Sequence, residues 1–334
     1  MAGTVRKIDS GTVLDRKYRI DDVLGSGGMG CVYRATNVVL KRKVAVKTLI
    51  SRGSGDDAAI QRFHREAQFA ASIGHDNICE VIDFGTARVP GIDVDIYYLV
   101  MPLLEGRPLS AWLSDWVRPG PAVLVDVMAQ TLIGLHAAHE RKIVHRDLKP
   151  DNIFITDVGD RKNFVKILDF GVSKYMESDT AVQLTRTGIT MGTPLYMSPE
   201  QARGARHVDH AADIYSAGVV LYEAFVGQLP YDGDNFNEVL LRIATEPFAP
   251  PRIVNPNVPP AMERVILRAM ARNPAERYAS ARLMREELMK AAEEGCIPHM
   301  ASFVYNRPRA SRPAPNADAA TIVGPAVDAA QVEK

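Results

Sequence analysis

The chain is poor in the features that would place it outside the ordinary cytosol. Only three cysteines occur in 334 residues, Cys31, Cys79 and Cys296, and none stands at metal-ligand spacing from another. An odd, scattered set shows no disulfide framework and suggests a reducing cytosol. Charge of one sign is lacking too. Lys plus Arg is 40 and Asp plus Glu is 40, so there is no net charge to support a general nucleic-acid or membrane surface. The first residues, MAGTVRKIDSG, have no apolar stretch of the signal-peptide kind. No apolar run approaches the roughly 20 residues that span a bilayer, and no internal repeat is visible. The expectation is a soluble, cytoplasmic protein with no nucleic-acid partner and no membrane segment in this chain.

What is present is ordinary globular material, 46% hydrophobic and 24% charged. Residues 18 to about 50 read as strands, rich in Val, Ile and Tyr and broken by glycine clusters. In DDAAIQRFHREAQFAASI, residues 56–73, apolar positions recur at three and four and predict an amphipathic helix. DIYYLVMPLL, 95–104, predicts a buried strand running into a connector. Helices are expected to dominate from about 108, over 123–142, 212–227, 236–246 and 261–273, with EPFAPPRIVNPNVPP as a Pro-rich break. From about 296 the chain turns to Pro, Ala and polar residues and predicts a disordered tail. A small strand-rich lobe precedes a larger helical one.

Three stretches carry chemistry. LGSGGMGCVYRA places Gly25, Gly27 and Gly30 in a G-x-G-x-x-G pattern. Alone it fits a dinucleotide turn, a nucleotide flap or a flexible loop. The dinucleotide fingerprint needs a helix next and an acid about 20 residues on. Here strand-like sequence follows, and the residue in question is Lys47 of VAVK. That favours a Gly-rich hairpin whose backbone N–H groups can approach phosphate closely. Alternation puts Ala45 and Lys47 on one strand face, where a small residue and a cation suit a flat base and its phosphates. HRDLKPDN, 145–152, concentrates charge between the apolar runs KIV and IFI. It reads as a solvated turn or as a reactive loop held by two buried strands. DFG, 169–171, ends the run VKIL.

These motifs, with a Glu66-bearing helix, SPE, DIYSAG and RNPAERY, stand in one order that resembles the eukaryotic-like protein Ser/Thr kinases, bacterial members above all. The resemblance covers about 18–290. It implies an α+β bilobal fold, with an N-lobe over 18–101, a hinge over 102–106 and a C-lobe over 107–295. Residues 1–17 would be an extension and 296–334 a tail. It implies ATP with Mg²⁺, or Mn²⁺ as a substitute, and protein substrates phosphorylated on Ser or Thr.

The resemblance also implies roles. Lys47 would hold the α- and β-phosphates and pair with Glu66. Asp147 would accept the substrate hydroxyl's proton, and Lys149 would steady the γ-phosphate. Asn152 and Asp169 would hold the metal through oxygen. Leu24, Gly25, Gly27 and Gly30 belong to the nucleotide site. Val32 and Ala45 would cover the adenine, with Phe154 beneath it and Met101 as gatekeeper. Many relatives carry an acid where Pro102 stands. Its carbonyl remains, and Leu104 is left to donate an N–H. Asp213 would brace the HRD loop, and Glu200 would pair with Arg277. Thr185 and Thr187 stand where bacterial relatives autophosphorylate in trans, through self-association. A phosphate there would gather Arg146, Lys174 and Arg62. A pseudokinase scaffold is the competing reading. It would be favoured by loss of Lys47, Asp147 or Asp169, and all three are present. Lys149 and Thr193 resemble the Ser/Thr branch rather than the tyrosine branch.

Overall fold

A computed structural model describes residues 7–27, 30–50, 68, 72–89, 91–115, 119–170, 194–205 and 207–295. Six antiparallel strands form the N-terminal sheet: β1 (Val13–Leu14), β2 (Tyr18–Gly27), β3 (Gly30–Asn37), β4 (Arg42–Ile50), β5 (Asp83–Val89) and β6 (Ile92–Pro102). Their spatial order is β1-β2-β3-β4-β6-β5.

Period-two alternation sorts the side chains of β3, β4 and β6 onto two buried faces. Cys31, Tyr33, Ala35, Val44, Val46, Ile96, Tyr98 and Val100 pack on the outer face. Val32, Ala45, Leu99 and Met101 pack on the face toward the C-terminal lobe. The near-continuous apolar runs of these strands follow from burial on both sides.

The outer face is covered by residues of the expected extension. Ile8 is 3% exposed and joins that cluster. Its N–H donates to the Tyr33 hydroxyl at 2.9 Å. Gly11 and Thr12 exchange backbone bonds with Ile20 at 2.8 Å, and β1 pairs with β2. The segment from residue 8 is thus packed into the sheet rather than appended to it.

A second sheet of three strands, β7 (Gly106–Pro108), β8 (Ile153–Val158) and β9 (Arg161–Ile167), lies at the top of the helical part. The longer helices there are α1 (Leu109–Ser114), α2 (Pro121–Glu140), α3 (Pro199–Ala202), α4 (Ala211–Val226), α5 (Phe236–Thr245), α6 (Pro251–Val254), α7 (Pro260–Ala269) and α8 (Ala281–Glu294). Helix α4 is buried at every residue and ends at Gly227, φ +94°, the left-handed stop that glycine favours. Asn235 and Ser280 cap α5 and α8 by accepting backbone N–H bonds. Helix α2 is long and apolar enough to cross a membrane, but most of it is buried against the protein's own core.

Three differences from the sequence reading have plain causes. Helix α2 stops two residues before the expected 142 because Lys142 adopts φ +60°. The N–H of Lys142 bonds the His139 carbonyl and that of Ile143 bonds the Ala138 carbonyl, a Schellman close made without glycine. KIV is consequently an irregular segment, not a strand, and of the two runs flanking HRDLKPDN only IFI is one. The Pro-rich break contains α6, because Pro251 sits at its first turn, where a missing N–H costs nothing. Of the helix expected over 56–73, only Gln68, Ser72 and Ile73 are described, and they are helical. The tail from 296 lies outside the described residues.

Candidate active site

The cleft between the two sheets is assembled by register. Val32 pairs with Lys47, and Ala45 pairs with Met101. That brings the Gly-rich hairpin, the lysine strand and the connector strand onto one wall. Gly25 pairs with Val32, and Gly27 with Gly30, which closes the hairpin. A Cβ on Gly30 would overlap the carbonyl oxygen of Thr48. The third glycine is therefore demanded by the close passage of β4.

Val32, Ala45, Met101 and Phe154 form one cluster, with Leu24 and Leu104 at its edge. The same cluster contains Cys79, Leu99 and Leu168, which the sequence reading did not pick out. Leu99 could have been found, since it is two residues before Met101 on the same strand face. Leu168 directly precedes Asp169. Cys79 had no local signal: it arrives through the parallel bridge of Ile78 to Ile167. Burial pushes the Cys79 thiol up to about 12, so it remains protonated. Pro102 is the last residue of β6, a strand position that tolerates a missing donor.

The floor of the cleft is the HRD loop, and its backbone is held from several sides. Asp213 is fully buried and accepts from His139 Nε2 at 2.7 Å and from the N–H groups of His145 and Arg146 at 2.8 and 2.7 Å. Burial pushes its carboxyl up, but these hydrogen bonds outweigh burial and hold it below its ordinary value. The fully buried His145 ring faces the Leu168 carbonyl through Nε2 at 2.9 Å. A carbonyl only accepts, so Nε2 carries the proton. Nδ1 is then the acceptor for the Asp147 N–H at 3.2 Å. The ring also lies 4.7 Å from that of Phe170. Leu168 donates its N–H to the Asn152 carbonyl at 2.8 Å. Strand end and loop are stitched together at both backbone atoms of one residue.

The polar side chains converge above this floor. Lys47 Nζ lies 2.8 Å from Asp169 Oδ1, a bond from one lobe to the other. Lys149 Nζ lies 3.3 Å from Asp147 Oδ2. Burial pulls Lys149 down, but Asp147 and then Asp151 outweigh it, so its pKa is raised and it stays an ammonium. Asn152 Nδ2 donates to the Asp147 carbonyl at 2.8 Å, which leaves its amide oxygen as the atom able to ligate a cation. Asn152 and Asp169 together offer the oxygen donors a hard divalent ion takes. Among the described residues no cluster of three or more His, Cys, Asp or Glu could hold a metal. Asp169 and Arg146 both adopt left-handed backbone, φ +48° and +63°, rare conformations for residues with a side chain.

Asp147, Lys149, Asn152, Lys47 and Asp169 are thus brought to one place, and the Glu200–Arg277 pair forms as expected at 2.7 and 2.8 Å. Arg146 donates from its guanidinium to the Val208 carbonyl at 3.0 Å. Glu66, Arg62, Lys174, Thr185 and Thr187 lie outside the described residues.

Comparison with known proteins matches the protein kinase domain over residues 18–289. Serine/threonine-protein kinase Pkn1 of Myxococcus xanthus is 42% identical over 278 residues, 83% of this chain and 38% of that protein. Serine/threonine-protein kinase pkn3 of the same organism is 39% identical over 287 residues, 85% of this chain and 51% of that protein. The chain therefore spans about half or less of these relatives' length. The kinase domain of Mycobacterium tuberculosis PknI superposes with a TM-score of 0.64 at 26% identity, covering 86% of this chain and all of that one. The matched stretch includes both walls and the floor of the cleft, and the chain belongs to the protein kinase domain family.

Proposed function

We propose that the protein is a Ser/Thr protein kinase that transfers the γ-phosphate of ATP to hydroxyls of proteins. The observation that carries this reading is the meeting of Asp147, Lys149 and Asn152 on one loop with the Lys47–Asp169 pair across the cleft. The adenine would lie among Val32, Ala45, Met101 and Phe154, whose burial already supplies an apolar slot. The carbonyl of Pro102 and the N–H of Leu104 supply its edge contacts. Gly25, Gly27 and Gly30 cover the phosphates, and Lys47 faces the α and β groups. Asn152 and Asp169 would hold Mg²⁺, which supplies charge neutralisation at the phosphate oxygens.

Asp147 accepts the hydroxyl proton as the new oxygen–phosphorus bond forms. The bond from the γ-phosphorus to the bridging oxygen breaks, and ADP leaves with that electron pair. Lys149 meets the charge on the transferring group. Such transfer needs positioning and charge stabilisation more than covalent chemistry, and a floor pinned by Asp213 and His145 suits that need. Lys149 two residues after Asp147, and relatives named as Ser/Thr kinases, support Ser and Thr as acceptors. We place the reaction in the cytoplasm, where ATP and Mg²⁺ are found. The protein's own Thr185 and Thr187 are among the proposed acceptors, modified in trans.

Purified protein with ATP and Mg²⁺ should phosphorylate casein on Ser and Thr and itself at Thr185 or Thr187, read by mass spectrometry. Asp147→Asn should lower the transfer rate about a hundredfold or more with the melting temperature kept. An Asp147→Asn protein of undiminished rate sinks the assignment, and phosphotyrosine as the main product sinks the Ser/Thr specificity.

A further inference from the structure

The HRD loop is held on its N–H side by Asp213 and His145, but its sharpest point is held from elsewhere. Arg146 has φ +63°, a conformation that persists only when the surroundings over-determine it. The peptide between Arg146 and Asp147 is one rigid plane. Its N–H end is fixed by His145 Nδ1 at 3.2 Å. Its oxygen end accepts from Gln201 Nε2 at 2.9 Å, across 55 residues of sequence.

We propose that Gln201 is a positioning residue for Asp147: it locks the oxygen end of the plane from which the catalytic carboxylate is carried. This rests on the kinase reading above.

Gln201 is itself oriented. Its Oε1 accepts from the Ser198 N–H and the Ser198 hydroxyl, both at 3.1 Å. The backbone N–H of Ser198 must meet an acceptor and the Arg146 carbonyl must meet a donor, so the amide fits one way only. Ser198 is fully buried and caps α3, whose Glu200 is tied to Arg277. The same stretch of chain supplies Pro194, Tyr196 and Met197, which line a groove together with Asp147 and Lys149. Gln201 therefore joins the wall of that groove to the carboxylate at its base. Ser198 and Gln201 also form the capping box of α3. A cap acts on stability alone, whereas a lock on the Arg146–Asp147 plane acts on the rate.

The test uses the full chain with ATP, Mg²⁺ and casein, on samples brought to the same phosphorylation level as judged by mass spectrometry. Gln201→Glu keeps the acceptor for Ser198 and sets an oxygen against the Arg146 carbonyl. It should lose about tenfold in kcat with KM for ATP changed less than about twofold, because nucleotide is held by the other wall. Ser198→Ala removes the hydroxyl but leaves the Ser198 N–H to orient the amide and the amide donor itself, so it should lower the melting temperature with a smaller loss of kcat than Gln201→Glu. If Gln201→Glu fails to fold, Gln201→Lys, which restores a donor, should keep a higher kcat than Gln201→Met. Parental kcat in Gln201→Glu, an equal loss in Ser198→Ala, or equal kcat in the Lys and Met variants overturns the proposal alone. A parent chain that transfers no phosphate overturns the kinase reading and this proposal with it.

Discussion

Arg277 shows how much one buried charge can organise. Its side chain is fully buried, and it grips Glu200 with two nitrogens at 2.7 and 2.8 Å. It also donates to the carbonyls of Ala271 and Ala211, each at 2.8 Å. Its guanidinium lies 4.9 Å from the centre of the Tyr215 ring. Burial pushes the Glu200 carboxyl up, and Arg277 outweighs it, so Glu200 titrates below its ordinary 4.5. A depressed acid contributes its stabilisation in full above the ordinary value and loses it as pH falls through the folded value. Arg277→Met leaves Glu200 without its partner in a partly buried site and should cost about 3 kcal/mol at neutral pH. On acidification toward about pH 4 the variant should lose less than the parent, because protonation now relieves Glu200. Urea melts at both pH values measure this. A variant as stable as the parent at neutral pH would show that the pair is dispensable.

At the scale of the element, helix α2 carries a contradiction that packing resolves. Gly134 lies in the middle of a long helix, where glycine is about 1 kcal/mol worse than alanine. A Cβ there would come within 2.7 Å of Ile167 Cδ1 and 3.3 Å of Asn77. Helix α2 approaches β9 and the turn at Asn77 closely because that residue is small. Asn77 uses the approach, donating from Nδ2 to the Val165 carbonyl at 3.0 Å. Gly134→Ala should therefore destabilise, by about 1–3 kcal/mol from overpacking, despite its gain in helix propensity. A rise in melting temperature on that substitution would refute the close-packing explanation. The Schellman close at Lys142 works in the same direction: it ends α2 where the chain must turn into the HRD loop.

For the whole molecule, the N-terminal sheet needs covering on two sides. The C-terminal lobe covers one face and leaves the cleft there. The other is covered in part by the segment around Ile8. Deleting residues 1–12 removes Ile8 and the backbone partners of Ile20, and uncovers part of the cluster of Leu14, Tyr18 and Tyr33. Loss of one fully buried Ile is worth about 2–5 kcal/mol. The deletion should lower the melting midpoint accordingly, and an unchanged midpoint would mean that the segment is an appendage after all. The bond from Lys47 to Asp169 is the whole-molecule feature most relevant to function, since it joins residues 122 positions apart across the cleft.

The sequence by itself determined the two-lobed plan and the faces of its main strands, and its motifs, through the family resemblance, named the polar residues that meet in the cleft. Alternation in β4 and β6 and the glycine and charge motifs are local patterns, and a local pattern states which face of an element is buried or reactive. It does not state what lies opposite. Gln201 on the Arg146 carbonyl, Cys79 and Leu168 beside the apolar slot, and Ile8 behind the sheet were decided by the tertiary structure, and Asp213 under the loop was expected only through the family resemblance. Asp213 and His145 meet across 68 residues, and Gln201 and Arg146 across 55. Such partners are selected by the packing of whole elements, which fixes the distance and direction between groups that the chain itself keeps far apart.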